Sequence, residues 1–200
     1  TIYDVLVGKK DLSEVILDTN TDNLKILPSS IELSGAEVEM VSMMSRENLL
    51  KKALANASKE YDLVIIDCPP SLGLLTLNAL TAADKVLVPI QCEYFALEGL
   101  GQLMNSIKMV RSNLNPELEL GGVILTMFDT RTNLSRDVAT EVKNYFQEKV
   151  FNSIIPRNIK LSEAPSHGMP IKEYDINSTG AKAYEKLAAE IKQRFTNPSN

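Results

Sequence analysis

Two kinds of hydrophobic pattern take turns along the chain. Short apolar runs closed by turn residues appear at residues 23–30 ("NLKILPSS"), 62–67 ("DLVIID"), 85–90 ("KVLVPI"), 121–128 ("GGVILTMF") and 150–156 ("VFNSIIP"). These read as strands, and the run at 62–67 has the continuous apolar character of a strand buried on both faces. Between them lie stripes with helical spacing. Residues 45–60 carry Leu49, Leu50, Ala53, Leu54 and Ala57 on one face behind a candidate N-cap, Ser45. Residues 74–84 form a short helix. Residues 96–114 carry Leu97, Leu100, Met104, Ile107, Val110 and Leu114, ending before Asn115-Pro116. Residues 135–149 place Val138, Val142, Tyr145 and Phe146 inward, and residues 178–195 do so with Ala181, Tyr184, Leu187, Ala188, Ile191 and Phe195. Strands alternating with helices over short connections predict an α/β fold, a mostly parallel sheet flanked by helices on both faces. No repeat or linker interrupts residues 1–200, so a single domain is expected, with residues 196–200 as a frayed tail.

Composition narrows the function classes. The chain is 44% hydrophobic and 24% charged, as an ordinary globular protein is, and its net charge of −5 gives no global field favouring nucleic acid. Two cysteines without a CxxC pair and a single histidine, His167, argue against a disulfide framework or a zinc site. Cys68 and Cys92 are expected as small buried or half-buried thiols. No apolar run is long enough for a transmembrane helix and no signal peptide opens the chain, so a cytoplasmic protein is expected.

The candidate chemistry starts at Asp67. It ends an apolar strand, where open α/β sheets bind ligands. An acid in that position can orient Mg²⁺ or its waters beside phosphates. The stiff turn Cys68-Pro69-Pro70-Ser71 follows, with two fixed φ angles and two missing N–H donors.

At this point the sequence resembles a family. "YDLVIIDCPPSLGLLTLNALTAADKVLVPIQCEYFALEGL" is similar to the ParA/Soj chromosome-partitioning ATPases, the deviant-Walker group related to MinD. "IELSGAEVEMVSMMSRENLLKKAL", "LTMFDTRTNLSRDVATEVKNYF" and "IPRNIKLSEAPSHGMPIKEYDINSTGAKAYEKLAAEI" continue the likeness in order over nearly the whole chain. The resemblance implies a P-loop NTPase-like fold, ATP and Mg²⁺ as ligands, and a homodimer when ATP is bound. It also implies non-specific DNA binding on the nucleoid, and hydrolysis stimulated by a ParB-type partner. It makes Asp67 the Mg-side catalytic acid and Asp67, Cys68, Pro69, Pro70 and Ser71 the phosphate-sensing turn. Met127, Pro156, Arg157 and Asn158 become the wall around adenine. Arg131 and Lys160 stand where the family has basic DNA-contacting residues. With Arg136 they fall in a window, 131–160, that holds six basic and three acidic residues within an acidic chain.

The family's Gly-rich KGGxGK[ST] loop has no counterpart in these 200 residues; the one Gly-Lys, Gly8-Lys9, is followed by Lys10 and reads as a helix-ending glycine with solvated lysines. The chain therefore reads as lacking the N-terminal strand–P-loop–helix block. The intact protein is expected to hydrolyse ATP, and the chain alone is expected to be inactive and to expose apolar surface beside Asp67. Two alternatives stay open. One is a shortened, non-enzymatic regulator that binds ParB or ParA. The other is a MinD-like membrane ATPase, which the mixed charges of the last helix disfavour.

Overall fold

The computed structural model describes residues 1–55, 60–69, 71–94 and 98–196. These form two compact units, Thr1–Asp84 with Asn105–Glu119, and Lys85–Met104 with Leu120–Asn200.

The first unit opens with helices α1 (Ile2–Leu6) and α2 (Leu12–Val15). Gly8 follows α1 at φ +72°, a left-handed conformation that suits glycine after a helix, and Lys9 and Lys10 are exposed, as the sequence predicts. The strand expected at 23–30 is confined to β2 (Lys25–Ile26), which pairs antiparallel with β1 (Leu17–Asp18). Helices α3 (Leu33–Met40), α4 (Leu49–Leu54) and α5 (Leu74–Ala82) then pack their apolar faces together. Leu6, Ala36, Met40, Leu50 and Ala79 make that core. Buried Asn78 holds it at its polar seam: Oδ1 accepts the Leu50 N–H at 3.1 Å, and Nδ2 donates to the carbonyls of Arg46 and Leu74 at 2.8 and 3.0 Å. Ser45 is not a cap. It sits in the left-handed region at φ 52°, and a 3₁₀ turn (Arg46–Asn48) precedes α4. Ala57 lies outside the described residues.

The strand expected at 62–67 does not form. These residues have no ladder partner among the described residues, and Leu63, Val64 and Ile65 are 56%, 44% and 79% exposed. A strand meant for burial on both faces exists only when neighbours supply its hydrogen bonds and cover its side chains. No described segment pairs with it, and while Ile66 packs against the helical core of this unit, Leu63, Val64 and Ile65 leave apolar surface exposed before Asp67.

The second unit is the sheet. It contains β3 (Lys85–Gln91), the first turns of α6 (Glu98–Asn113), and β4 (Glu119–Thr126) apart from its first residue. The remaining turns of α6 belong to the first unit, where Ile107 and Val110 are buried; Leu97 is outside the described residues. Gly121 lies against Lys85 and Val86, while the Cys92 N–H bonds to the Thr126 carbonyl at 2.9 Å, so β3 and β4 run parallel. On the other side of β4, residues 150–157 also run parallel. Phe151 and Ile155 donate to the Val123 and Leu125 carbonyls, each at 2.9 Å. The expected strand at 150–156 is thus present as parallel bridges rather than a continuous ladder. Amides of that segment are taken instead by Glu190, whose carboxylate accepts from the Asn152 and Ser153 N–H groups at 2.8 and 2.9 Å.

Helices cover both faces. Alternation along β4 sends Val123 and Leu125 to a core shared with Val88, Ile90 and the inner face of α7 (Asn133–Phe146). Ile124 points the other way, to Phe151 and Leu187 of α10 (Thr179–Thr196), with Ala183, Ile191 and Phe195 around them. Short helices α8 (Ile159–Ser166) and α9 (Ile171–Tyr174) join residue 158 to α10. Three inward expectations fail: Tyr145, Tyr184 and Ala188 are exposed. Each sits at the edge of its helix's apolar arc, and small Ala183 takes the contact with the sheet.

Phe151 is fully buried, and the Arg194 guanidinium lies 4.0 Å from its ring centroid. Phe151→Ala is expected to destabilise the protein by about 3–5 kcal/mol. Urea unfolding followed by circular dichroism reads this as a lower midpoint at unchanged slope.

Candidate functional site

The turn after Asp67 is held from beneath by α5. The Thr76 hydroxyl, buried, donates to the Ser71 carbonyl at 2.6 Å and reaches the Pro69 carbonyl at 3.5 Å. At the start of α5 the Glu37 carboxylate accepts the Leu75 N–H at 3.2 Å and lies against Gly73, leaving no space there for a β-carbon. This carboxylate caps the helix N-terminus in place of the missing side-chain cap. Asp67, Cys68, Pro69 and Ser71 are all exposed. Pro70 lies outside the described residues. Cys68 is therefore not the buried thiol expected, because the strand that would bury it has no cover; Cys92, on the sheet, is buried.

The remaining expected site residues belong to the second unit, at the carboxyl ends of β4 and the parallel segment beside it. Met127 leaves β4 at φ 54°, a left-handed conformation uncommon for a non-glycine residue. That reversal re-aims the chain while the pairing continues. Phe128 donates to the Ile155 carbonyl at 3.1 Å, and Arg157 donates to the Phe128 carbonyl at 2.9 Å. Pro156, which has no N–H, sits opposite Phe128. Asn158 caps α8, accepting the Lys160 N–H at 2.8 Å, and its Nδ2 donates to the Thr179 hydroxyl at 2.7 Å at the start of α10. The Arg157 guanidinium pairs with Glu93 at the end of β3. Met127, Pro156, Arg157 and Asn158 are thus brought together, at the end of the sheet where α/β folds bind ligands.

Two hollows open in this unit. A cavity of about 1000 Å³ has Val88, Ile90, Leu100 and Leu103 in its wall and the charged groups of Glu93, Asp129, Arg131 and Arg157 around it. A shallower one, about 590 Å³, lies between Phe128, Ile154 and Pro156 and two lysines of α10, Lys182 and Lys186.

The basic residues expected to meet DNA are exposed, and each has acceptors in its own chain. Arg131 grips Asp129 with two parallel bonds, Nε to Oδ1 at 2.9 Å and Nη2 to Oδ2 at 2.7 Å. This neighbour holds the Asp129 carboxyl well below the usual carboxylate range, and Asp129 in turn raises Arg131. Arg136 donates to Asn133 Oδ1 at 3.2 Å and to the Thr130 carbonyl. Lys160 pairs with Glu163 at 2.9 Å, and the Tyr174 hydroxyl donates to the same carboxylate oxygen at 2.9 Å. The Lys160 hydrogen bond is the main cause of a lowered Glu163 carboxyl. Sequence reasoning missed both carboxylates. Asp129 stands two residues before the basic window, and Glu163 follows its end by one helical turn; the spacings i, i+2 and i, i+3 to the cations were the signal available. His167 ends α8 and stacks on Tyr174, with ring centroids 5.1 Å apart, as a loop residue would.

A family model described as an AAA domain matches residues 1–120. The chain is 56% identical over 194 residues to the chromosome-partitioning ATPase Soj of Treponema pallidum (strain Nichols), covering 97% of this chain and 77% of that protein. Among solved structures it resembles the cobyrinic acid a,c-diamide synthase of Mycobacterium smegmatis with bound ADP and magnesium. That match has 37% identity and a TM-score of 0.83, and covers 100% of this chain and 74% of that one. The fold is also that of the cell division ATPase MinD of Pyrococcus furiosus, at 24% identity and a TM-score of 0.73, over 96% of this chain and 75% of that one.

Carboxyl carbon NMR titration is expected to show Asp129 ionised well below pH 3.9, the ordinary aspartate value. In Arg131→Ala its titration moves up towards that value. The sign follows from a depressed folded-state pKa: the pairing is fully present above the unfolded value and is lost only as pH falls through the folded one. Between pH 5 and 8 the pair is constant.

Proposed function

Because the chain belongs to the ParA/Soj family of chromosome-partitioning ATPases, we propose that it works in DNA partitioning as a nucleotide-switched, DNA-binding ATPase. The observation that carries this reading is the 56% identity to Soj across 97% of the chain. We take residues 1–200 as one ATPase domain because the likeness to Soj runs over 97% of the chain.

ATP and Mg²⁺ are the proposed ligands. Asp67 is exposed on a turn pinned by Thr76, and so is available to a cation without first breaking a contact of its own fold. Among the described residues no cluster of three or more His, Cys, Asp or Glu side chains could hold a metal. Asp67 is therefore one ligand, direct or through water, of an ion that shares the phosphate oxygens. Bound there, Mg²⁺ would neutralise charge on the phosphates. Cys68, Pro69, Pro70 and Ser71 shape the turn that senses the terminal phosphate. Met127, Pro156, Arg157 and Asn158 form the wall for the base; the left-handed Met127 and the Asn158 cap support this by fixing the two loops relative to the sheet. The 200 residues contain no phosphate cradle of the GxxxxGK[ST] kind, and we take them to be inactive by themselves.

ATP binding is proposed to favour a homodimer, and the dimer to bind DNA without sequence preference through Arg131, Arg136 and Lys160. A ParB-type partner then triggers hydrolysis and release, a population shift between two states. The protein works in the cytoplasm on the nucleoid. Membrane anchoring is not part of this reading. No helix among the described residues is long and apolar enough to cross a membrane, and α10 is committed to the sheet through Leu187, Glu190 and Arg194.

Fluorescence anisotropy with a random-sequence duplex tests the DNA assignment. A protein that carries these residues together with a Gly-rich phosphate loop is expected to bind when loaded with ATP. Arg131→Ala and Lys160→Ala each weaken binding and lower the slope of log K against log salt by about 0.9. Unchanged affinity and slope in both variants would remove these residues from the interface.

A further inference from the structure

The DNA-facing cations are not held ready for phosphate. Arg131 is 83% exposed along its side chain, yet its guanidinium turns back onto a carboxylate that is only 14% exposed. Two parallel N–H···O bonds are the geometry that an arginine also offers a phosphate, so a phosphate oxygen pair and the Asp129 carboxylate compete for the same fork. Asp129 is well fixed for this. Its N–H donates to the Ser135 hydroxyl at 3.3 Å, its carbonyl accepts from the Thr132 amide at 3.2 Å, and its Oδ1 also takes the Arg131 N–H at 3.0 Å. The buried Ser135 hydroxyl in turn donates to the Cys92 carbonyl at 3.0 Å, which ties this loop to the end of β3. Lys160 repeats the arrangement with Glu163, itself steadied by Tyr174.

We propose that Asp129 and Glu163 are built-in competitors of DNA phosphate, holding Arg131 and Lys160 in internal pairs that must open before either cation contacts DNA. The inference rests on the DNA-binding reading above and adds a brake to it. Affinity for DNA is set by the difference between the cation–phosphate and cation–carboxylate pairs, not by the cations alone. An exposed pair is weak, so the brake lowers affinity by a small factor per cation. It also restrains a chain whose six basic residues between 131 and 160 are all exposed from binding polyanions indiscriminately.

Anisotropy titrations with random-sequence duplex at several salt concentrations test this, using an ATP-loaded protein that carries these residues together with a Gly-rich phosphate loop. Asp129→Asn keeps one oxygen to accept the Arg131 backbone N–H, removes the charge, and replaces the second acceptor of the guanidinium fork with an N–H donor. It is expected to bind about threefold to fivefold tighter, with a salt slope close to that of the wild type, because the same phosphates are contacted. Glu163→Gln shifts affinity in the same direction. Asp137→Asn, an equal charge change at an exposed residue of α7, gives the background gain from net charge. In an Arg131→Ala background Asp129→Asn is expected to give no more than that background. The proposal is overturned if Asp129→Asn binds no tighter than Asp137→Asn, or if its gain persists without Arg131. Failure of the wild-type protein to bind DNA at low salt would instead remove the DNA reading itself, and the brake with it.

Discussion

Everything in the second unit depends on the backbone ladder on both sides of β4. Its carbonyls at Val123, Leu125 and Thr126 accept from Phe151, Ile155 and Cys92, and so bind the segments on either side in parallel register. Strict alternation then sends Val123 and Leu125 into one core and Ile124 into the other. A one-residue slip would exchange these faces and expose both helices' apolar stripes. The same register decides where the strand ends. It delivers Met127, Asp129 and Arg131 beside Pro156, Arg157 and Asn158, so the loops that carry the proposed chemistry inherit their positions from the sheet.

The residues proposed to bind the base and those proposed to sense phosphate rest on different kinds of support, each within its own unit. The base wall is overdetermined: Phe128 and Arg157 share backbone bonds, Asn158 caps α8 and reaches α10, and Pro156 has only one accessible φ. The acid turn has less beneath it. Thr76 holds its carbonyls, and Glu37 occupies the N-terminus of α5, but of the apolar residues leading to Asp67 Leu63, Val64 and Ile65 are exposed and Ile66 is only partly buried. A segment with few buried contacts opens easily. In its proposed role Asp67 would bring charge and little preorganisation, and phosphate recognition would have to be organised by other groups.

The alternation of strands and helices was legible because β3, β4, α6, α7 and α10 each carry a pattern that their final partners satisfy within this chain. The expectation failed where formation depends on a partner rather than on local pattern. Residues 62–67 have the composition of a central strand and no pairing neighbour among the described residues. Residues 150–156 lean on Glu190 for amides a strand would otherwise have paired. Tyr145 and Tyr184 show the limit of periodicity, since an aromatic ring at the edge of a helical stripe can point either way. For the candidate site, motif order pointed to the residues proposed as the wall and as the DNA-binding cations. It could not reveal that Asp129 and Glu163 hold those cations, because a side chain's rotamer is set by tertiary surroundings that spacing does not encode.

Calorimetric titration of the 200-residue chain with Mg-ATP and Mg-ADP tests most directly whether Asp67 depends on a phosphate cradle that these residues do not contain. Neither nucleotide is expected to give a binding isotherm. Micromolar binding that disappears in Asp67→Ala would contradict this, because it would show that the acid and its turn recognise phosphate without such a cradle.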